Sequence, residues 1–446
     1  FGRTIMTNNF REFLKDKRVT VMGLGLLGRG LNDVKFLSKY CAEVLVTDLK
    51  SDEELKTSLE EIKDLKNITL VLGEHRLTDF ENRDFILKAA GVPLDSLYIE
   101  HANKSNVPVY MDEALFVMLS PEITTIGVTG TRGKTTTTMM IEAVLQNSGK
   151  RYLLGGNIRG TATLPLLETV RAGDIVLMEL SSWQLQGFGD LGISPNIAVF
   201  TNFYDDHLNY YNNDRNAYFA DKAFIYKNQT REDFLVFGSE IPENFKSEMN
   251  VALSEKFEIS KADLPSDWNL KIPGEHNRSN AALAVKTAQL LGIENREMKN
   301  SLENFSGVSG RLELVRVYND VSIYNDTTAT TPVATINAIN ALYVPGKNLI
   351  LIMGGADKKL AMDELFHVLK EKDSKIVLLP GTGTDLVKNL VGESVLVSDM
   401  KEAVAEAIKN AIPSDTILMS PAFASFGLFK NEFDRGDQFD AIVKSL

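Results

Sequence analysis

Short apolar runs recur along the chain, each followed by glycines or polar clusters and then by apolar positions at helical spacing. Residues 18–24, 44–47, 123–128, 175–180 and 197–201 read as strands in the first part of the chain. Residues 321–324, 348–353, 375–379 and 416–419 do so in the last part. Runs this apolar suit strands covered on both faces, as in parallel sheets. Helical spacing occupies 28–40, 137–145 and 280–291, where Gly292 stops it. The alternation predicts α/β layers built on parallel strands. Residues 228–272 differ: they are charge-rich with short β-like runs such as 234–237, and read as a peripheral sheet or flap. No internal repeat or low-complexity segment interrupts the pattern.

At 446 residues the chain exceeds what one core organises, and its length suggests about three domains. Pro108 and Pro121 bracket one handover, and Gly307 to Gly310 mark a second break. The expected domains are residues 1–112, 113–306 and 307–446. A net charge of −12 argues against nucleic acid or an anionic membrane as partner. Any anionic ligand therefore needs local cations and backbone N–H groups. The single cysteine, Cys41, excludes an internal disulfide and a cysteine-built zinc site, which fits a reducing cytosol. Residues 1–18 are polar and mixed in charge, unlike a signal peptide, and no apolar run approaches the roughly 20 residues of a membrane span. The expected location is the cytoplasm.

Gly127-Val-Thr-Gly130-Thr131-Arg132-Gly133-Lys134-Thr135-Thr136 lies between a strand and a helical pattern, so free N–H groups and a helix N-terminus converge there, as polyphosphate requires. Lys134 would neutralise the β and γ phosphates, and the Thr135 hydroxyl would reach Mg²⁺. Val128 stands where the strict phosphate-loop pattern has glycine, so the loop is a variant. Gly23-x-Gly25-x-x-Gly28, with Asp48 twenty positions later, is a Rossmann-like opening whose acid would accept from ribose hydroxyls or a base edge. The same glycines also arise in a tight turn that packs a helix on a sheet. Glu179, at the end of an apolar run, offers the hard oxygen that Mg²⁺ takes; a carboxylate capping the next turn is the plainer reading. Asn202-x-x-Asp205-Asp206-His207 follows the next strand, and the histidine between acids and sheet edge reads as functional. Asn277 or Asn280 either cap the helix that follows or serve a ligand. Thr330 or Thr331 stand in the same position before Pro332. Lys358 and Ser425 each follow a strand, giving a cation and a hydroxyl suited to a carboxylate ligand.

Taken in order, these segments, with Gly155-Gly156-Asn157-Ile158, Glu179-Leu-Ser-Ser, His276-Asn277-x-x-Asn280, Leu418-Met-Ser-Pro-Ala and Phe429-Lys-Asn-x-x-x-Arg435-Gly436, resemble the Mur ligases. These are ATP-dependent amide-forming enzymes of peptidoglycan precursor synthesis. The resemblance covers nearly the whole chain. It is strongest to the branch that adds D-glutamate to UDP-N-acetylmuramoyl-L-alanine through an acyl phosphate, releasing ADP and phosphate. It implies a Rossmann-like N-terminal domain for the UDP-substrate, a central P-loop ATPase-type α/β domain, and a C-terminal Rossmann-like α/β domain.

The resemblance also implies roles. Asp48 with the backbone of Leu26, Leu27 and Gly91 would hold the uridine diphosphate, so the Rossmann-like signal would not mean NAD. Asn157, Gln184 and His207 would line the path of the muramoyl-alanine arm. Gly130, Thr131, Arg132, Gly133, Lys134, Thr135 and Thr136 would cradle ATP, and His276, Asn277, Asn280, Arg311 and Asp326 would contact the nucleotide. Thr135 and Glu179 would bind one magnesium and His207 a second. Lys222, which spacing alone makes a surface helix residue, would react with CO₂ to give a carbamate that organises the metal site. Lys134, His207 and Lys222 would thus form the catalytic set, and Thr330, Lys358 and Ser425 would grip the incoming amino acid. The implied enzyme is a cytoplasmic monomer serving wall synthesis and cell division, with small-molecule partners only.

Two departures bear on which amino acid enters. Gly307-Val-Ser-Gly310-Arg311 stands where the D-glutamate enzymes usually read Gly-Leu-Pro-His-Arg, and Thr328 stands where they have lysine. A Mur-type ligase for another amino acid is one alternative. A folylpolyglutamate-type synthetase is a second, against which the Gly23-Leu-Gly25 opening and Asp48 speak. A dehydrogenase or a plain nucleotide-binding module would not need Glu179, His207 and Lys222 together.

Overall fold

The computed structural model describes residues 9–25, 28–93, 95–158, 162–207 and 210–446. The chain divides into two compact units, Phe1–Leu264 with Ser279–Ser301, and Pro265–Arg278 with Leu302–Leu446.

The first unit carries two parallel sheets. One contains β1 (Arg18–Met22), β2 (Glu43–Asp48), β3 (Ile68–Leu72), β4 (Phe85–Lys88) and β5 (Val109–Tyr110) in the order β3-β2-β1-β4-β5. The other contains β6 (Thr124–Thr129), β7 (Tyr152–Gly156), β8 (Ile175–Glu179), β9 (Ile197–Phe200), β10 (Phe234–Gly238) and β11 (Glu255–Ile259), ordered β11-β10-β9-β6-β8-β7. Both orders reverse beside the strand that enters a glycine loop, β1 and β6. Such a reversal opens a crevice at the carboxyl ends of the strands. An apolar core runs through both sheets, from Val19 and Val21 to Val176 and Phe200.

The charge-rich stretch forms no separate flap. Its apolar run 235–237 is buried as β10, which pairs in parallel with β9, and β11 adds the sheet's edge. Glu255, Lys256 and Glu258 of β11 face solvent, as an edge strand tolerates.

The second unit holds β12 (Glu313–Tyr318), β13 (Val321–Asn325), β14 (Leu349–Gly354), β15 (Lys375–Leu379), β16 (Ser394–Leu396) and β17 (Thr416–Met419), ordered β12-β13-β17-β14-β15-β16. Only the β12–β13 pair is antiparallel. Apolar clusters cover its central strands, Leu351 and Leu418 in one and Ile350 and Ile417 in the other. Among the described residues no helix is long and apolar enough to cross a membrane.

Candidate active site

Strand register brings the candidate residues of the first unit to one edge. Val128 of β6 pairs with Glu179 of β8, Gly156 of β7 pairs with Glu179, and Thr129 pairs with Phe200 of β9. The carboxyl ends of four strands are therefore level. The glycine loop, Asn157, Glu179 and the segment from Asn202 all leave the sheet there.

The loop turns directly into a helix, Lys134–Asn147, which starts three residues before its apolar periodicity does. Gly133 caps it at φ 78°, in the left-handed region, and a Cβ there would lie 2.4 Å from Oδ1 of Asn280. Glycine is required on both counts. Lys134, Thr135 and Thr136 form the first helical turn, whose amides have no partner within the helix. The loop is braced from β9: Asn202 accepts from the Thr131 amide at 3.0 Å through its carbonyl and from the Arg132 amide at 2.8 Å through its side chain. The Thr201 hydroxyl donates to the Arg132 carbonyl, and the Arg132 guanidinium pairs with Asp206 at 2.9 Å. Asn280 belongs to this group, its Oδ1 accepting from the Thr137 hydroxyl at 3.3 Å.

Two amines converge on one carbonyl. Lys134 Nζ donates to the Gly130 oxygen at 3.1 Å, and Lys222 Nζ to the same oxygen at 2.8 Å. Lys222 sits on the Arg215–Ala223 helix and is 1% exposed, so it is no surface residue. Burial, with the Lys134 ammonium beside it, holds its pKa well below the ordinary lysine range. Its amine lies 4.8 Å from the centre of the Tyr218 ring. The His207 ring packs against the same tyrosine at 6.1 Å and against Trp183 at 4.9 Å. His207 adopts φ 53°, a left-handed conformation that a non-glycine residue holds at a cost.

Glu179 is 2% exposed. Its Oε1 accepts from Asn157 Nδ2 at 3.3 Å, while Oε2 is buried without a hydrogen-bond partner. A buried carboxylate oxygen left unpaired is costly, and a cation relieves that cost. Among the described residues no three His, Cys, Asp or Glu side chains gather as a closed metal cage. Such a donor set fits Mg²⁺, which binds through one or two carboxylates and completes its shell with phosphate oxygens and water.

The expected UDP residues fare differently. Asp48 is buried, and its carboxylate accepts from the Leu24 and Gly25 amides at 2.9 and 3.0 Å and from Lys50 N at 2.9 Å. In this structure it braces the glycine turn. Gly91 is exposed in the turn after β4, and Leu26 and Leu27 lie outside the described residues. Gln184 is fully buried: it completes the capping box of Ser181 and donates to Glu113.

In the second unit, Asp326 is buried, accepting from the Leu312 amide at 3.1 Å and the Ser420 hydroxyl at 2.8 Å. Burial pushes its pKa up to about 7. Asn277 Nδ2 donates to the Pro273 carbonyl at 2.6 Å. The loops after β13, β14 and β17 meet at one edge, where Lys358 Nζ lies 3.4 Å from Thr330 Oγ1 and the backbones of Ala356 and Ala424 pair. Ser425 is buried beside them. Arg435, fully buried, ties these loops by donating to the Thr327 carbonyl at 2.8 Å and to the Phe423 carbonyl at 3.3 Å.

The two departures are in contact. The Thr328 hydroxyl donates to the Gly310 carbonyl at 3.1 Å, and Gly310 holds φ 69°, with a Cβ there only 2.8 Å from Thr327 Cγ2. Histidine at 310 would be strained in this conformation.

Sequence reasoning passed over Arg29 and Glu113. The signal was present: a charged pair, Asp112-Glu113, opens an otherwise apolar helix, Asp112–Leu119.

Comparison with known proteins agrees with this geometry. Residues 128–269 match the Mur ligase middle domain and 310–423 the Mur ligase, glutamate ligase domain. The UDP-N-acetylmuramoylalanine--D-glutamate ligase of Roseiflexus sp. (strain RS-1) is 34% identical, over 97% of this chain and 99% of its own. That of Borreliella burgdorferi (strain ZS7) is 33% identical over 97% and 99%. Among solved structures, the UDP-N-acetylmuramate-alanine ligase MurC of Thermotoga maritima superposes with a TM-score of 0.59 at 19% identity, covering 96% of this chain and 99% of that one. That likeness speaks for the fold alone.

Proposed function

The chain belongs to the Mur ligase family, and from that premise we infer that it joins D-glutamate to UDP-N-acetylmuramoyl-L-alanine, converting ATP to ADP and phosphate. One observation carries the reading: a braced phosphate loop lies level with a buried carboxylate whose second oxygen has no partner.

A carboxylate is a poor acyl donor, so the γ-phosphoryl group first passes to the L-alanine carboxylate to form an acyl phosphate. The glutamate amine then attacks the acyl carbon, and phosphate leaves the tetrahedral intermediate. Lys134 and the amides of its helical turn neutralise and position the transferring group, which is most of what phosphoryl transfer asks of a protein. Magnesium, when bound, supplies further charge neutralisation; Thr135 and Glu179 would hold one ion and His207 a second. Lys222, whose burial beside the Lys134 ammonium disfavours the charged form, is suited to add its nitrogen lone pair to CO₂, losing a proton and becoming a carbamate. That change places an anion beside Gly130 and supplies another ligand. Asn157 and His207 would orient the muramoyl-alanine arm, and Gln184 would act from beneath through the turn that it caps. Asn277, Asn280, Arg311 and Asp326 would serve the nucleotide, and Thr330, Lys358 and Ser425 the amino acid. We assign these sites to domains at 1–112, 113–306 and 307–446, in a cytoplasmic enzyme acting as a monomer.

The departures at Gly310 and Thr328 are the ground for a second reading, a related ligase with another amino acid. Phosphate release tested with UDP-N-acetylmuramoyl-L-alanine against D-glutamate, L-glutamate and other amino acids separates the two. The first reading expects release with D-glutamate and background rates with the others.

A further inference from the structure

A ring of polar contacts closes behind Glu179. Asn157 Nδ2 donates to Glu179 Oε1 at 3.3 Å, and Asn157 Oδ1 accepts from an Arg29 nitrogen at 3.1 Å. The same Arg29 nitrogen reaches the Gly156 carbonyl at 3.2 Å, and the other terminal nitrogen lies 3.9 Å from Glu113 Oε1. Glu113 accepts from Gln184 Nε2, and Gln184 Oε1 accepts from the amide and hydroxyl of Ser181, at 2.9 and 2.8 Å. Ser181 follows Glu179 by two residues, so the circuit returns to its start.

We propose that Arg29 and Glu113 are positioning residues for the ligase reaction, fixing which way the Asn157 amide faces and, through it, Glu179. This rests on the function proposed above. The chemistry of the neighbours carries the argument. A guanidinium only donates, so the oxygen of Asn157 must face Arg29. An ionised carboxylate only accepts, so the Asn157 nitrogen must face Glu179. The amide thus has one allowed orientation, and it spends Oε1 of Glu179 while leaving Oε2 for another ligand.

The surroundings argue against a purely packing role. Glu113 is fully buried, and each of Asp33, Asp112 and Glu113 keeps one carboxyl oxygen without a hydrogen-bond partner. Apolar residues of similar volume would commonly serve stability as well or better than such a buried polar cluster. What an apolar core could not supply is the donor that turns Asn157. Arg29 opens the Arg29–Tyr40 helix directly after Gly28, so the device also joins the start of that helix to the edge that carries Glu179.

The test is a double-variant cycle on the full chain: wild type, Arg29→Gln, Asn157→Ala and both together. Each is titrated calorimetrically with UDP and with UDP-N-acetylmuramoyl-L-alanine, without ATP or metal, and assayed for kcat at saturating substrates. Arg29→Gln is expected to leave UDP affinity within about twofold while lowering muramoyl-substrate affinity or kcat about tenfold, the scale of a charged hydrogen bond. In the Asn157→Ala background the same change should move neither by more than about twofold. Glu113→Gln, which keeps the shape and the contact to Gln184, should repeat the pattern more weakly and serves if Arg29→Gln fails to fold. Losses that add in full, or a loss equal for UDP alone, would overturn the proposal while an active wild type leaves the function standing. A wild type that neither binds nor turns over the muramoyl substrate overturns both.

Discussion

Lys222 Nζ donates to the Gly130 carbonyl across 2.8 Å, which sets a fully buried amine against the backbone of the phosphate loop. A permanently charged lysine would be costly there, with the Lys134 ammonium on the same carbonyl. A neutral amine or its carbamate would not. Lys222→Ala is expected to lower kcat at least tenfold, the scale of losing one charge-stabilising group. Formate or acetate should restore part of the loss by occupying the vacated space with an anion, as measured by phosphate release. Unchanged activity in the variant would remove Lys222 from the mechanism.

Lys134 opens the helix that follows the loop, and in the proposed mechanism its charge acts on the transferring group. Lys134→Ala should lower turnover by roughly 10² to 10³, as expected on losing one preorganised donor. The melting temperature of the variant, measured beside wild type, separates this loss from any destabilisation of the loop, whose Gly130 and Thr131 carbonyls accept from the Lys134 amine. Near wild-type turnover would contradict the assignment.

Glu179→Gln keeps the shape of the residue and removes its charge. The magnesium concentration giving half-maximal turnover is expected to rise about tenfold or more, while UDP binding measured without metal stays unchanged. A magnesium curve that does not move would show that the unpartnered oxygen faces something else.

Asp326 gives a signed pH effect on stability. Its carboxyl titrates near 7 in the fold, raised by burial, against about 3.9 in an unfolded chain. The fold therefore binds a proton that the unfolded chain has released, and this contribution is full below about pH 4 and lost as pH rises to about 7. Asp326→Asn retains an acceptor for the Leu312 amide and a partner for Ser420. Its melting temperature should fall less than that of wild type between pH 5 and pH 8, even though nucleotide use suffers. Parallel curves for the two proteins would refute this.

Features encoded by neighbouring residues were legible. The phosphate loop, the strands β6, β8 and β9, and Glu179 follow from local spacing, because an apolar run, a glycine turn and a helix start lie within a few residues of one another. Residues whose meaning depends on distant partners were not. Lys222 lies on a helix of amphipathic spacing, and only the fold brings it 92 positions back to Gly130. Arg29 carries no signal in its own neighbourhood, and only the fold brings Asn157, 128 positions away, beside it. Asp48 shows a role that spacing alone did not suggest: its carboxylate accepts from the turn's own amides. The hydrogen bond between Thr328 and Gly310 was likewise invisible in two separate departures.

The central claim is that the loop and Glu179 steer the terminal phosphoryl group of ATP onto a substrate carboxylate, and isotope transfer tests it most directly. UDP-N-acetylmuramoyl-L-alanine labelled with ¹⁸O in the alanine carboxylate is turned over with ATP and D-glutamate, and the released phosphate is analysed by mass. The account expects one labelled oxygen in each phosphate formed, carried over from the acyl phosphate. Amide formation accompanied by unlabelled phosphate would contradict it.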